Sequence, residues 1–392
     1  MRVLFTPWAW SPHYFPMVPL AWAMRNAGHE VRVASSPSLI DVITDSGLPA
    51  VSVGADVDFV SMVREHMGVP KVDVMTAEAW QDLRARKGLK AMQMFVKLAE
   101  AMADDLIDFA KSFRPDLIVH TPSGFIGPVV ASAIGVPNVR HLKVPDIAAG
   151  TGEMERMLLA PLIERYHLEH IEPLGTLTID PCPDPMRVPV TYPYQPMRYI
   201  PYNGSGTVPD WLLEPPTRRR VCITWGTTLG KLHPELMLGG RMVEAAAALD
   251  VEIVAAIPSD FHHLVDDSPE NVRLISGLPL NLLLQTCDAI VHQGGAGTTM
   301  TSVVSGVPQL VVPQFPEQVF NASRVASGGG GISLMPEDAD VPTVRKLLSE
   351  LLDEPSRRES SRHLADLATA MPTPPEVVDV LERLAEGAPV PA

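Results

Sequence analysis

The stretch DAIVHQGGAGTTMTSVVSGVPQL, residues 288–310, concentrates groups suited to holding an anion. A strand-like apolar run ends at His292. Gly294, Gly295 and Gly297 follow, and Thr298 and Thr299 open a helical pattern that closes near Gly306. Glycines without Cβ let a backbone approach a ligand closely, and the free N–H groups at a helix start favour phosphate. The Thr hydroxyls and an imidazole N–H add donors. This is not a P-loop, because no Lys follows the glycines, nor is it a first-strand dinucleotide fingerprint. A tight strand–helix turn without a ligand would need the glycines alone. The histidine and the paired threonines favour a phosphate cradle.

A second set lies near the start, in WAWSPHYFPM, residues 8–17, after the apolar run MRVLFT. The ordinary pKa of imidazole, about 6.5, lets His13 exchange a proton near neutrality. By residue type alone a packed loop histidine is the simpler reading. The surrounding Trp8, Trp10, Tyr14 and Phe15 suit a flat or greasy partner. A third set is PQFPEQ, residues 313–318, where Glu317 accepts and Gln318 both donates and accepts, so the pair can address neighbouring hydroxyls. Alone it reads as an ordinary acidic helix start.

These sets need a scaffold, and the chain spells one. Strand patterns at 2–6, 31–35, 116–120 and 138–142 recur as 220–226, 251–257, 272–276, 288–295 and 309–315, with helical stretches between them such as 94–113, 236–249 and 341–354. Such alternation predicts parallel α/β architecture. Each half reads as a doubly wound unit. RYIPYNGSGTVPDWLLEPPTRRR, rich in Gly, Pro and Ser, separates them as a linker. The expected division is an acceptor-side domain at 1–203, a linker at 204–219, a second domain at 220–372 and a C-terminal helix within 373–392 that packs back on the first domain. Ligands of open α/β sheets sit beyond the C-terminal strand ends, so two facing units predict a cleft lined by the loops that follow strands.

At 392 residues, 46% hydrophobic and 20% charged, the chain has the composition of a globular enzyme with two cores. A net charge of −15 argues against a nucleic-acid surface. The basic run Arg218–Arg220 reads as a solvated linker end. No apolar run is long enough to span a membrane, and the opening reads as a β-strand rather than a signal peptide. Cys182, Cys222 and Cys287 are too few and too scattered for a disulfide framework or a zinc site, which fits a reducing cytoplasm.

Several other signals carry little. Asp56–Val57–Asp58 resembles a metal-binding DxD but lies far from the anion motif. The pairs His167/His170 and His262/His263 lack zinc-site spacing. His29 follows the helix-capping Gly28 and carries no chemistry. The Met-rich 60–80 segment with Trp80 reads first as core packing.

The chain also resembles a known family, the GT-B glycosyltransferases that decorate natural products in actinomycetes. The resemblance covers nearly all of it, through MRVLFTPWAW, PMVPLAWAMRNAGHEVRVAS, RPDLIVH, ASAIGVPNVRH, RYIPYNGSGTVPDWL, RRVCITWGTT, NVRLISGLPLNLLLQTCDAIVHQGGAGTT and GVPQLVVPQFPEQVFNASRVA. It implies two Rossmann-like domains across a cleft and an inverting, metal-independent transfer of a deoxysugar from a TDP-type nucleotide to a hydrophobic aglycone. It implies that His292, Gly295, Gly297 and Thr298 hold the donor diphosphate, with Gly226, Thr227 and Thr228 opposite. Leu278 would bind the base, and Glu317 and Gln318 the sugar. His13 would be the general base, and the family's equivalent of the Trp80 region borders the acceptor; by their aromatic character Trp10, Tyr14 and Phe15 join that wall. No cofactor is implied beyond the nucleotide sugar. A homodimer or an auxiliary protein stays open, as do carbon or oxygen attack, an epimerase of the same fold and a non-catalytic activating partner.

Two departures stand out. The loop HTPSGFIG after the third strand pattern lacks the acid that orients the base in many relatives, leaving Thr121 as the candidate. The base-binding segment has Gly277 where many relatives carry a stacking aromatic, leaving Trp225 or edge contacts to compensate.

Overall fold

The computed structural model describes residues 1–67, 77–265 and 269–388, and within them the side chains outside 65–87. The first sheet is built from β1 (Arg2–Thr6), β2 (Glu30–Ser35), β3 (Ala50–Ser52), β4 (Leu117–His120), β5 (Asn138–His141), β6 (Leu177–Asp180) and β7 (Tyr194–Pro196). Their order across the sheet is β3-β2-β1-β4-β5-β6-β7. The second comprises β8 (Arg220–Thr224), β9 (Glu252–Ala256), β10 (Val272–Ile275), β11 (Ala289–His292), β12 (Gln309–Val311) and β13 (Gly331–Ser333), in the order β10-β9-β8-β11-β12-β13. Every pairing is parallel. Each sheet is doubly wound, as expected, and each reverses direction beside its first strand.

Strand alternation sorts the cores. Val3 and Phe5 of β1 face one cluster with Leu117 and Val119, while Leu4 and Ile118 face the other. The first face is covered by the helix Val18–Asn26 and the second by the helices Ala77–Phe113 and Ile126–Ile134. The expected 94–113 helix is the second half of a 37-residue one. The short strands β3, β6, β7 and β13 carry too few residues to show a period and lie outside the predicted strand patterns. The predicted strands at β8, β11 and β12 extend into the exit loops, where Trp225 after β8 and Val312 after β12 continue the apolar pattern.

The helix Pro374–Ala385 crosses back to the first domain, where Val377, Val378, Leu381 and Leu384 join the β1 core. Each fully buried Val or Leu contributes about 1.5–3 kcal/mol, whereas an exposed pair contributes about 0–1. Packing therefore outweighs the contact of His29 Nε2 with Glu382, 2.9 Å away and half exposed. Between the domains Val144, Met186 and Tyr199 pack with Met300, Val311, Ala322 and Val325. Beside them Arg324 Nε donates to the Met186 carbonyl at 2.9 Å. No described helix is long and apolar enough to cross a membrane.

Candidate functional site

The reversal points fix where a site belongs. In the first sheet β1 and β4 are neighbours, with Thr6 opposite His120; in the second β8 and β11 are neighbours, with Thr224 opposite His292. The connections from these strands leave in opposite directions, opening a crevice at the C-terminal strand ends. His13 follows β1, His120–Phe125 follows β4, Trp225–Thr228 follows β8, and Gln293–Gly295 follows β11. Loops of the two domains meet directly: Trp10 Nε1 donates to Thr228 Oγ1 at 3.3 Å.

The glycine cradle differs from expectation at its histidine. His292 is fully buried and turned into its own domain. Its Nδ1 accepts the Gly294 N–H at 3.0 Å, which leaves Nε2–H to donate to Gln309 Oε1, also at 3.0 Å. Desolvation lowers its pKa to about 4, so the ring is neutral. Both nitrogens are thus engaged within the domain, and the ring braces the loop. Asn321 Nδ2 holds the Gly294 carbonyl from the other side at 2.9 Å. Gly294 itself, at φ +85°, leaves no room for a Cβ, which would sit 3.0 Å from the Gln318 carbonyl and from Val311.

The side chain that does reach between the two glycine loops is Gln293, which sequence reasoning missed. Its Nε2 lies 2.6 Å from the Cβ position of Gly226 and 3.0 Å from that of Gly295, and its buried Oε1 has no partner. Its place directly before two glycines was the available signal. The helix Ala296–Val304 has Gly295 as N-cap and no side-chain cap, so the N–H groups of Ala296, Gly297 and Thr298 face no intrahelical acceptor. Gly297 borders open space. Across the crevice Thr227 is exposed and Thr228 half-buried. Trp225 is fully buried with its Nε1 donating to Gln314 Oε1 at 2.8 Å, which removes it as a base-stacking ring. Leu278 packs partly against the second domain, and Gly277 beside it borders open space.

His13 is buried against the Trp8 ring at 4.7 Å, in the short helix Ser11–Tyr14. Its partner is a cation. Lys143 Nζ, from the loop after β5, lies 3.0 Å from His13 Nε2 and donates to Glu317 Oε1 at 2.8 Å. An ammonium has no lone pair, so Nε2 is the acceptor and the ring proton resides on Nδ1. Nδ1 makes no hydrogen bond of normal geometry, though the Pro122 carbonyl acts weakly on the ring. Desolvation, then Lys143, hold the His13 pKa well below its ordinary value. Thr121 is buried with its hydroxyl unpartnered, so the orienting role expected of it is replaced by Lys143.

The loop that carries Lys143 is pinned underneath. Arg140 Nη2 donates to Asp146 Oδ2 at 2.6 Å with both side chains buried, and Tyr192 Oη donates to the same oxygen. Opposite, Gln318 spends its Oε1 on the backbone N–H groups of Gln314 and Phe315, at 2.8 and 3.1 Å. It caps the helix Pro316–Ser327, leaving Nε2 as the group it can offer a ligand.

Around His13 the aromatic wall is Trp8, Trp10, Phe59, Phe95 and Phe125, with ring centroids 4.8–6.0 Å apart in successive pairs. Trp10 lies in this wall, and Tyr14 and Phe15 do not. Tyr14 is fully buried in the β1 core and shares a hydrogen bond with Ser46 Oγ at 2.5 Å. Phe15 meets Tyr202 edge-on at 5.2 Å. Both follow from the helical turn at Ser11–Tyr14, which points successive residues in different directions. The Trp80 side chain lies outside the described residues.

Residues 22–226 match the N-terminal domain of the "Erythromycin biosynthesis protein CIII-like" family, and 240–384 match its C-terminal domain. The chain belongs to this family of glycosyltransferases. It is 37% identical to 10-deoxymethynolide desosaminyltransferase of Streptomyces venezuelae, over 98% of this chain and 97% of the relative. It is 38% identical to aklavinone 7-beta-L-rhodosaminyltransferase of Streptomyces galilaeus, over 98% and 96%. Among solved structures, glycosyltransferase VinC in complex with DTDP superposes with a TM-score of 0.85 at 33% identity, covering 99% of this chain and 100% of that one. This glycosyltransferase therefore has the GT-B fold.

Its other acidic motifs have structural duties. Asp56 Oδ1 accepts the Ser38 N–H at 2.9 Å, and Asp58 accepts the Ser61 N–H and hydroxyl at 3.0 and 2.6 Å, at the start of the helix Phe59–Met67. Among the described residues the glycosyltransferase has no group of three His, Cys, Asp or Glu side chains arranged to hold a metal.

Proposed function

We propose that this glycosyltransferase moves a deoxysugar from a TDP-type nucleotide to a hydroxyl of a hydrophobic natural-product aglycone, with His13 as general base and with inversion. The observation that carries the reading is the link from His13 Nε2 through Lys143 to Glu317, which brings the candidate base beside the candidate sugar ligand. The relatives named for desosamine and rhodosamine transfer favour a deoxysugar, and the VinC complex favours a thymidine diphosphate donor.

In this reading the diphosphate rests on the N–H groups of Ala296, Gly297 and Thr298. Gln293 and the Gly226–Thr228 loop close over it. These dipoles stabilise the charge that grows on the leaving phosphate. Leu278 flanks the base, while Glu317 and the Gln318 amide reach sugar hydroxyls. The aglycone lies against Trp8, Trp10, Phe59 and Phe95. Its hydroxyl proton passes to His13 Nε2 as the oxygen bonds to the anomeric carbon and the carbon–phosphate oxygen bond breaks with its electron pair leaving on the diphosphate. Burial and Lys143 hold the His13 pKa well below its ordinary value, so the ring is neutral, as a base must be, at pH 7.

The test is transfer itself. TDP-deoxysugars and polyketide or macrolide aglycones are incubated with and without EDTA, and the product's anomeric configuration is read by NMR. A product of inverted configuration, formed equally in EDTA, is expected. Retention, or loss of activity on chelation, overturns the mechanism. His13→Ala is expected to lower turnover by about two orders of magnitude or more. A donor-only incubation in deuterated water reads out sugar C2 exchange, which a transferase does not produce.

A further inference from the structure

The contact between Lys143 and His13 has a consequence for when the base can act. A general base must present a lone pair, yet the Nε2 lone pair of His13 is occupied by the Lys143 ammonium at 3.0 Å. Lys143 reaches it from the first domain, while Glu317, which draws the same ammonium at 2.8 Å, belongs to the second. Lys143 is largely buried, whereas the Glu317 carboxylate is about two-fifths exposed towards the cleft. The ammonium is thus shared between the candidate base and the candidate sugar ligand.

We propose that Lys143 is a positioning residue that fixes the His13 tautomer and caps Nε2 until bound substrates displace it. The proposal rests on His13 acting as the base. Donor sugar hydroxyls compete for Glu317, and the acceptor hydroxyl competes for Nε2; with both in place, Lys143 swings off the ring. Water entering a cleft that holds the donor alone meets a capped base and is not activated, so the nucleotide sugar survives until an aglycone arrives. Proton transfer then goes from the acceptor oxygen to Nε2, with no change in the Lys143 proton count.

The elements packed on His13 supply few other charges. Trp8 is apolar towards the ring, the loop after β4 gives the Pro122 carbonyl, and the loop after β5 gives Lys143. Glu317 stands beyond the ammonium. Among the described residues, Lys143 is the charged group acting on the ring.

The experiment compares wild type with Lys143→Met, Lys143→Gln and Lys143→Arg, with His13→Ala as control. It reads the pH profile of kcat/KM and the hydrolysis of TDP-sugar without aglycone. Removing the cation is expected to move the acid limb up by about one pH unit in the Met and Gln variants, while Arg leaves it in place. Uncoupled hydrolysis is expected to rise at least several-fold in Lys143→Met, which lacks a donor, and to stay low in the Gln and Arg variants, which retain one. Either neutral variant carries the pH test if the other fails to fold. Unshifted acid limbs and unchanged hydrolysis, with His13→Ala inactive, overturn the role of Lys143 alone. Near-normal turnover in His13→Ala overturns the base reading beneath it.

Discussion

The Gln293 side-chain nitrogen stands 2.6 Å from the position a Cβ on Gly226 would take, joining the exit loops of β8 and β11 across the crevice. Gly226 also holds φ at +62°, where an L side chain is strained. Gly226→Ala is therefore expected to cost about 1 kcal/mol in stability and to push Gln293 out of place. Donor KM should rise about tenfold or more, with aglycone KM little changed. Steady-state kinetics against both substrates check it; an unaltered donor KM would remove Gln293 from the donor wall.

His292 braces its loop from both ring nitrogens. His292→Ala leaves the Gly294 N–H and the Gln309 amide oxygen unpartnered in a dry interior and opens a cavity, so a loss of about 2–4 kcal/mol is expected. The acid limb of kcat/KM should be unmoved. Denaturant melts and a pH profile separate this from a direct phosphate contact, which would depress donor binding without a comparable loss of stability.

Tyr14 offers the complementary case. Its hydroxyl meets Ser46 inside the first domain, so Tyr14→Phe should cost about 1 kcal/mol and leave aglycone KM as it was. A raised aglycone KM at unchanged stability would restore Tyr14 to the acceptor wall.

Acid should unfold the protein early. Burial depresses the pKa of His120 to about 3 and those of His141 and His292 to about 4, and lowers that of His13 as well. The unfolded chain binds these protons near pH 6.5 and the folded one does not, so their stability contribution is full above 6.5. For His120, His141 and His292 it declines as the pH falls towards 4, by about 1.4 kcal/mol per pH unit for each ring. Thermal melts from pH 7.5 to 5 should show a steep fall in Tm.

Glu155 works with the opposite sign. Burial raises its pKa to about 7, against hydrogen bonding from Thr151. The folded state then keeps a proton that the unfolded chain has lost, so stability declines as the pH rises from about 4.5 to 7. Glu155→Gln should raise Tm at pH 8 and leave it nearly unchanged at pH 5. A lowered Tm at pH 8 would mean that the carboxylate is held charged by Arg140.

The architecture was legible because both sheets are built from buried parallel strands whose apolar runs stand clear of helical ones, as in RVLFT and RVCIT. Glycine-rich strand exits marked the crevice for the same reason. Orientation was not legible. HQGG does not say which of His292 and Gln293 turns inward; that is decided by Gln309, one strand away, and by the N–H of Gly294. Nor does HTPSGFIG reveal that the partner of His13 comes instead from Lys143. That meeting of residues 130 positions apart depends on the Arg140–Asp146 pair holding a different loop. Tyr14 and Phe15 were assigned by composition, and one helical turn sent both elsewhere.

The return of the last helix to the first domain means that this molecule is not two consecutive modules on a string. Residues 374–385 are part of the first domain in space, although they follow the second domain in the chain. A chimaera made by exchanging everything after the linker would strip Val377, Val378, Leu381 and Leu384 from the β1 core. The natural cassette for exchanging the whole second domain is an internal insert, bounded by the linker on one side and by the turn before Pro374 on the other.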